Sequence, residues 1–251
     1  VVSLQNFTRA SHFELGKVEN KEIRKRMVDL FNHVDHELAK RFARGIGVPE
    51  PTEEVVKNHG RSSPGLSMEN TVKDTVKSRR IAILAADGFD RSELMEIKQA
   101  LQNAGANAKV VSKFGGTIRS EDGEEVEVDK TFLTSGSIVY DAVYVPGGQQ
   151  SIETLKMQGD VIHFINEAFR HGKARDSLLA VAIAAMGEGV DLLTASNIAG
   201  VELADQNGQM ASDKGVITTR HGSIDNVSQE FIRAIAQHRH WNREQKERVP
   251  A

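Results

Sequence analysis

The 251-residue chain contains no cysteine. That absence removes disulfides, thiolate metal sites and cysteine nucleophiles together, and leaves the redox compartment open. No apolar run reaches membrane-spanning length, and the opening VVSLQNFTRAS lacks the basic start and apolar centre of a signal peptide. Charge of one sign is also missing: a formal net charge of −3 with 27% charged residues points away from nucleic acid and membrane surfaces as partners. Neither G-x-x-x-x-G-K-S/T nor G-x-G-x-x-G occurs, so the usual phosphate cradles are absent. What is there, with 39% hydrophobic residues, suits one large domain or a smaller domain with an appendage. The first residue, Val1 in place of Met, points to a fragment or a processed product.

Between Glu14 and Gly47, Leu15, Val18, Ile23, Met27, Leu30, Phe31, Val34, Leu38, Phe42 and Ile46 recur every three to five residues. This predicts amphipathic helix, as two helices, ending at Gly45 and Gly47. The apolar stripe must pack on itself, on the later domain, or on something outside the chain. Residues 48–78 carry three prolines and SSPG, and read as a tether with room for helical turns at Glu53–Lys57. From residue 79 strands alternate with helices: strands at Arg80–Ala86, Lys109–Ser112, Ala142–Val145 and Val216–Thr219, and helices at Arg91–Ala104, Ile152–His171 and Val227–Gln237. Phe114–Phe132 reads as a hairpin excursion, and HRHWNREQKERVPA as a polar tail. The expected fold is α/β, a flavodoxin-like doubly wound, mostly parallel sheet preceded by a short amphipathic helical segment.

Ser177–Leu193, SLLAVAIAAMGEGVDLL, is the centre of that sheet. It predicts a fully buried strand, a sharp turn at Gly187-Glu188-Gly189, and a helix. In hydrolases built this way the turn carries a nucleophile over the first amides of the helix. Here the position is glycine, and the neighbouring Met186 and Glu188 offer no nucleophile. Asp90 and Glu188 can form a carboxylate pair across the sheet top, sharing a proton, or can be plain caps. Asp87, Asp90 and Glu93 at the first strand end repel phosphate. His221 at a strand end reads as a loop residue, and no histidine has zinc-site spacing, so no metal is expected.

With AADGFDRSEL at Ala85–Leu94, DAVYVPGG at Asp141–Gly148 and AAMGEGVDLL at Ala184–Leu193, the second unit resembles the class I glutamine amidotransferase-like superfamily, which includes PfpI-type proteases and chaperone-glyoxalases. The resemblance places Gly187 where the cysteine belongs, Glu188 beside it, and Asp90 at the assisting glutamate. His12–Val48 is similar to the end of the helical region of large-subunit monofunctional haem catalases, and HRHWNRE at His238–Glu244 to their tail. This resemblance implies a helical segment (1–47), a linker (48–78) and an amidotransferase-like domain (79–251). It implies a non-catalytic C-terminal part that stabilises a parent tetramer and holds unfolding client proteins, with the catalase core and other subunits as partners. Neither nucleic acid nor membrane is expected as a partner. No cofactor is expected in this chain, the haem belonging to the parent catalase, since no R-x-F-x-Y motif surrounds Tyr140 or Tyr144. The alternatives are a PfpI-like hydrolase or glyoxalase using the carboxylate pair, and a flavin, nucleotide or other small molecule bound at the sheet top near Pro146–Gln150.

Overall fold

Asn20 and Asp35 cut the N-terminal stretch into helices. The computed structural model describes residues 2–58, 60–61, 63–66, 70, 72–170, 181–196, 198–206, 210–237, 240 and 243. It forms two compact units, one within the first 72 residues and one from residue 73 onward. In the first unit α1 (Val2–Gly16), α2 (Lys21–Asn32) and α3 (His36–Ile46) pack together. Asn20 accepts the Glu22 amide and Asp35 the Leu38 amide, each satisfying a donor left over at a helix start. Gly47, at φ +70°, closes α3 in the left-handed conformation that glycine adopts without strain. Arg24 ties the unit together by donating to the carbonyls of Gly16, Val18 and Ile46.

The unit has three helices where two were expected, because α1 begins at Val2 and not near Glu14. Of the possible partners for the apolar stripe, part lies within the unit: Val28, Leu38, Ala39, Phe42, Ala43 and Ile46 form its core. Phe31 meets Phe42 edge-on with ring centres 4.3 Å apart. Ile23 and Leu30 on α2, and Val34 in the turn after it, stay exposed. No helical turns form at Glu53–Lys57; Asn32 instead donates to the Glu53 carbonyl at 2.9 Å, and a short 3-10 turn follows at Pro64–Leu66.

The second unit is organised by a seven-stranded sheet, its central strands apolar on both sides and its edge strands polar. The strands are β1 (Arg80–Leu84), β2 (Asn107–Ser112), β5 (Lys130–Thr131), β6 (Ala142–Val145), β7 (Ala182–Met186), β8 (Ala211–Asp213) and β9 (Val216–Thr219). Their order is β5-β2-β1-β6-β7-β9-β8, parallel throughout except for the β8–β9 pair. β3 (Gly116–Arg119) and β4 (Glu125–Val128) form the expected hairpin. Helices α4 (Arg91–Asn103) and α8 (Ile224–Ala236) contribute to one apolar layer, with Leu94, Ile97, Leu101, Val227 and Phe231. Helices α5 (Gln149–Lys156), α6 (Gly159–Arg170) and α7 (Gly189–Ala195) contribute to the other, with Leu155, Phe164, Phe169, Val190 and Leu193. This is the doubly wound, flavodoxin-like arrangement, and its strand order reverses between β1 and β6.

Two expectations need correction, and a third falls in part outside the described residues. The single helix at Ile152–His171 is two, broken at Met157–Gln158, where the Gln158 amide bonds tightly back to Leu155 and Gly159, a poor helix former, opens α6. His171 and residues 177–180 of the central run lie outside the described residues. Of the tail, only His240 and Arg243 are among the described residues, and neither is polar surface: His240 is largely enclosed, and Arg243 is 2% exposed.

Candidate functional site at the sheet top

Three strand ends meet at the reversal. After β1, Gly88 takes φ +78°, and its amide and the Asp87 carboxylate bond the backbone of Arg119, fastening the hairpin to the sheet. After β6, Gly148 takes φ +112°. A Cβ there would stand 2.2 Å from the Gly88 carbonyl oxygen, so only glycine lets these two turns touch. After β7, Gly187 takes φ +52° and its amide bonds the Thr219 carbonyl. Gly189 has the Val145 carbonyl oxygen 2.6 Å from its Cβ position, which seats the start of α7 directly on the end of β6.

Two carboxylates lie across the loop after β6. Glu93 accepts the Gly147 amide at 2.6 Å and Glu188 accepts the Gly148 amide at 3.0 Å. A Cβ on Gly147 would be 3.0 Å from Glu188 and 3.1 Å from Glu93, so both acids close on the same glycine. Burial pushes the Glu93 carboxyl up to about 7, the Gly147 amide opposes the shift, and the charges of Asp90, Glu188 and Glu121 add to it. A side chain on Gly187 would start 3.6 Å from Glu93 Oε1 and 3.4 Å from the Gly147 Cα. The elbow therefore has the acid and the space of a nucleophile site, and no nucleophile.

Of the residues named from sequence, Gly187 lies at the elbow turn and Glu188 faces the loop after β6, where the acid across from it is Glu93 and not Asp90. Asp90 does not take the assisting position: it caps α4, its carboxylate accepting the Glu93 amide at 2.9 Å, and Glu93, one turn on, fills that place. The signal for Glu93 was present in Asp90-Arg91-Ser92-Glu93, where an acid three residues past a cap reaches back over the helix start. Tyr144 was passed over as well. Its ring packs against Phe231, its hydroxyl is buried with no hydrogen-bond partner among the described residues, and burial followed by the charge of Glu93 holds the phenol well above its ordinary range. His221 is exposed, and no group of three or more acidic or histidine side chains among the described residues could hold a metal ion. Among them too, no helix is long and apolar enough to cross a membrane.

Beside the acid pair a cleft of about 440 Å³ opens between β1 and the hairpin, lined by Asp87, Thr117, Arg119, Glu121, Glu125 and Gln150 among others. Among the described residues both tyrosines are engaged elsewhere: Tyr140 is tied to Ser135 Oγ at 3.0 Å and Tyr144 is packed in the core, while the lining of this cleft is polar.

The geometry is turned into a class by comparison with known proteins. A solved two-domain protein of Anabaena variabilis with DJ-1/ThiJ/PfpI-like and ferritin-like domains has the same fold (TM-score 0.55, 18% identity, 61% of this chain and 47% of that one). A family model described as the C-terminal domain found in long catalases matches residues 77–245, and another, described as catalase-related immune-responsive, matches residues 5–46. The second unit thus has a DJ-1/PfpI-like α/β fold, and the chain belongs to the family of C-terminal domains found in long catalases. It is 39% identical over 254 residues to Catalase HPII of Mycobacterium avium and 36% identical over 243 residues to Catalase-2 of Bacillus subtilis. These alignments take in 100% and 96% of this chain but 34% and 32% of the relatives, so the chain spans about a third of their length.

The turn glycines carry a graded prediction. Gly148→Ala, with both a backbone clash and positive φ, is expected to cost about 3 kcal/mol or more. Gly187→Ala meets only ordinary contacts and is expected to cost about 1 kcal/mol for its left-handed backbone. Urea midpoints of the two variants measure the difference, and equal costs would show that contact between the turns does not matter.

Proposed function

We propose that the chain is the non-catalytic C-terminal part of a long catalase whose complete polypeptide decomposes hydrogen peroxide at a haem held elsewhere. In that assembly it stabilises the parent tetramer and holds unfolding proteins. Gly187 carries the reading: the elbow of an enzyme-like fold is kept while the side chain that would do chemistry is absent. The similarity to named catalases along the whole chain supports the parentage. The proposed division of labour is a helical segment (1–47), a tether (48–78) and the sheet domain (79–251), with the exposed Ile23 and Leu30 of α2 and Val34 just after it available to apolar surface on a client. Heating an aggregation-prone client with and without the purified chain tests the holding role: slower light scattering is expected with it, and equal rates remove that role. Removing the corresponding residues from the complete protein is expected to lower the temperature at which its tetramer dissociates.

A second reading, an enzyme using two carboxylates, is favoured by Glu93 lying near neutrality beside Glu188. Glyoxalase and peptidase assays on the chain separate the two readings, with Glu93→Gln, Glu188→Gln and Asp90→Asn in parallel. Turnover lost in both glutamate variants would replace the first reading. Titration with flavin mononucleotide covers small-molecule binding at the cleft, where saturable binding would speak for it.

A further inference from the structure

The second unit has four described methionines, and they stand in very different surroundings. Met157, at the break between α5 and α6, is 83% exposed. Met95 on α4 and Met210 just before β8 are 41% and 42% exposed. Met186, the last residue of β7, is 3% exposed and lies in the layer under α4 and α8. A thioether reacts with a peroxide only where the oxidant can reach the sulfur, so exposure ranks these sites. The break places Met157 outside the apolar layer that its neighbours Ile152 and Leu155 enter, and its side chain packs against little.

We propose that Met157 is a modification site, the position in the α/β unit that takes oxygen first from hydrogen peroxide or an alkyl hydroperoxide, without damage to the fold. The sulfur attacks one peroxide oxygen and the O–O bond breaks. The second oxygen leaves with its protons as water, or as an alcohol from an alkyl hydroperoxide. Sulfur loses two electrons in becoming the sulfoxide and the peroxide gains them. The new S=O group points into water at residue 157, whereas at Met186 it would be an unpaired polar group beneath the elbow. Oxidation at Met157 therefore consumes one peroxide per chain and leaves the packing as it was, and methionine sulfoxide reductases can reverse it.

The experiment is a time course of the intact chain in dilute hydrogen peroxide, digested and read by mass spectrometry at each methionine, with a urea-unfolded sample alongside. In the folded chain Met157 is expected to oxidise about threefold faster than Met95 and Met210 and more than about tenfold faster than Met186, while all four converge in the unfolded chain. The thermal midpoint after selective Met157 oxidation is expected to match that of untreated protein, and Met157→Leu is expected to melt at the same temperature and to show no fast phase. Met186 oxidising as fast as Met157 in the folded chain, or a fall in midpoint that follows Met157 oxidation alone, would overturn the proposal.

Discussion

Replacing Arg243 with alanine is expected to lower the stability of the α/β unit by about 3 kcal/mol, the loss that accompanies removal of a buried, hydrogen-bonded charge and its volume. The guanidinium is 2% exposed and donates to the carbonyls of Lys214, Phe169 and Val181, each at 2.9 Å. Those three acceptors belong to the β8–β9 turn, the last turn of α6 and the entry to β7, so a single side chain joins elements far apart in sequence. Its centre also sits 4.5 Å above the Phe169 ring, where a cation is attracted to the π face. Burial pulls the guanidinium down to about 9, with the charge of Asp213 opposing, so it stays a cation at neutral pH. His240 secures the same tail: its ring fills the space over Gly215, and burial lowers its titration to about 4, which keeps it neutral. Arg243→Met separates volume from hydrogen bonding, since it fills the slot without donors and is expected to recover less than half of the loss. Arg243→Lys, with a point charge in place of a planar fork, is expected to fall between them. Urea unfolding followed by far-UV circular dichroism measures all three, and an alanine variant as stable as the parent chain would mean that the tail is not anchored here.

The tail shows where reading from sequence stops. The strands Ala142–Val145 and Val216–Thr219 were legible to the residue, because an uncharged β-rich run bounded by turn residues has few other ways to be satisfied. The elbow was legible for the same reason, its glycines marking a turn that a Cβ would block. Arg243 was not, since nothing in HRHWNREQ says that one arginine leaves water for three carbonyls supplied by residues up to 74 positions away. The helix break at Met157 was hidden by apolar residues that continue at helical spacing through Ile162 and Ile165. At the site, Asp90 and Glu93 are both acids on one helix turn. Sequence could place them at the strand end, but which acts as cap and which reaches Gly147 depends on the angle at which α4 leaves β1, a tertiary quantity.

Glu93 makes the elbow sensitive to pH in the neutral range. A carboxyl whose titration rises from 4.5 in the open chain to about 7 in the fold binds its proton more tightly when folded. Its favourable contribution is therefore complete below about pH 4.5 and fades as pH rises through 7. The span is about 2.5 pH units, or at most about 3 kcal/mol at 1.36 kcal/mol per unit, less whatever the remaining solvent contact screens. Physically, ionised Glu93 sits in a mostly buried position among the charges of Asp90 at the cap of its helix, Glu188 just before α7 and Glu121 in the hairpin turn, and its charge acts on the buried Tyr144 phenol. The Gly147 amide donates to it at 2.6 Å. Glu93→Gln keeps an oxygen for that amide and removes the charge. It is expected to match the parent chain near pH 5, to exceed it by about 2 kcal/mol at pH 8, and to flatten stability between them. Glu188→Gln removes one of the raising charges, so the titration of Glu93, followed by its side-chain carboxyl carbon shift in NMR, is expected to move down while remaining above the ordinary glutamate range. Asp90→Asn, which retains an acceptor for the Glu93 amide, is expected to shift it in the same direction. If Glu93 titrates near 4.5 in the folded chain, or if Glu93→Gln leaves the pH dependence of the urea midpoint as it was, the acid beside Gly187 is solvated, and the enclosed elbow described for the sheet top does not hold.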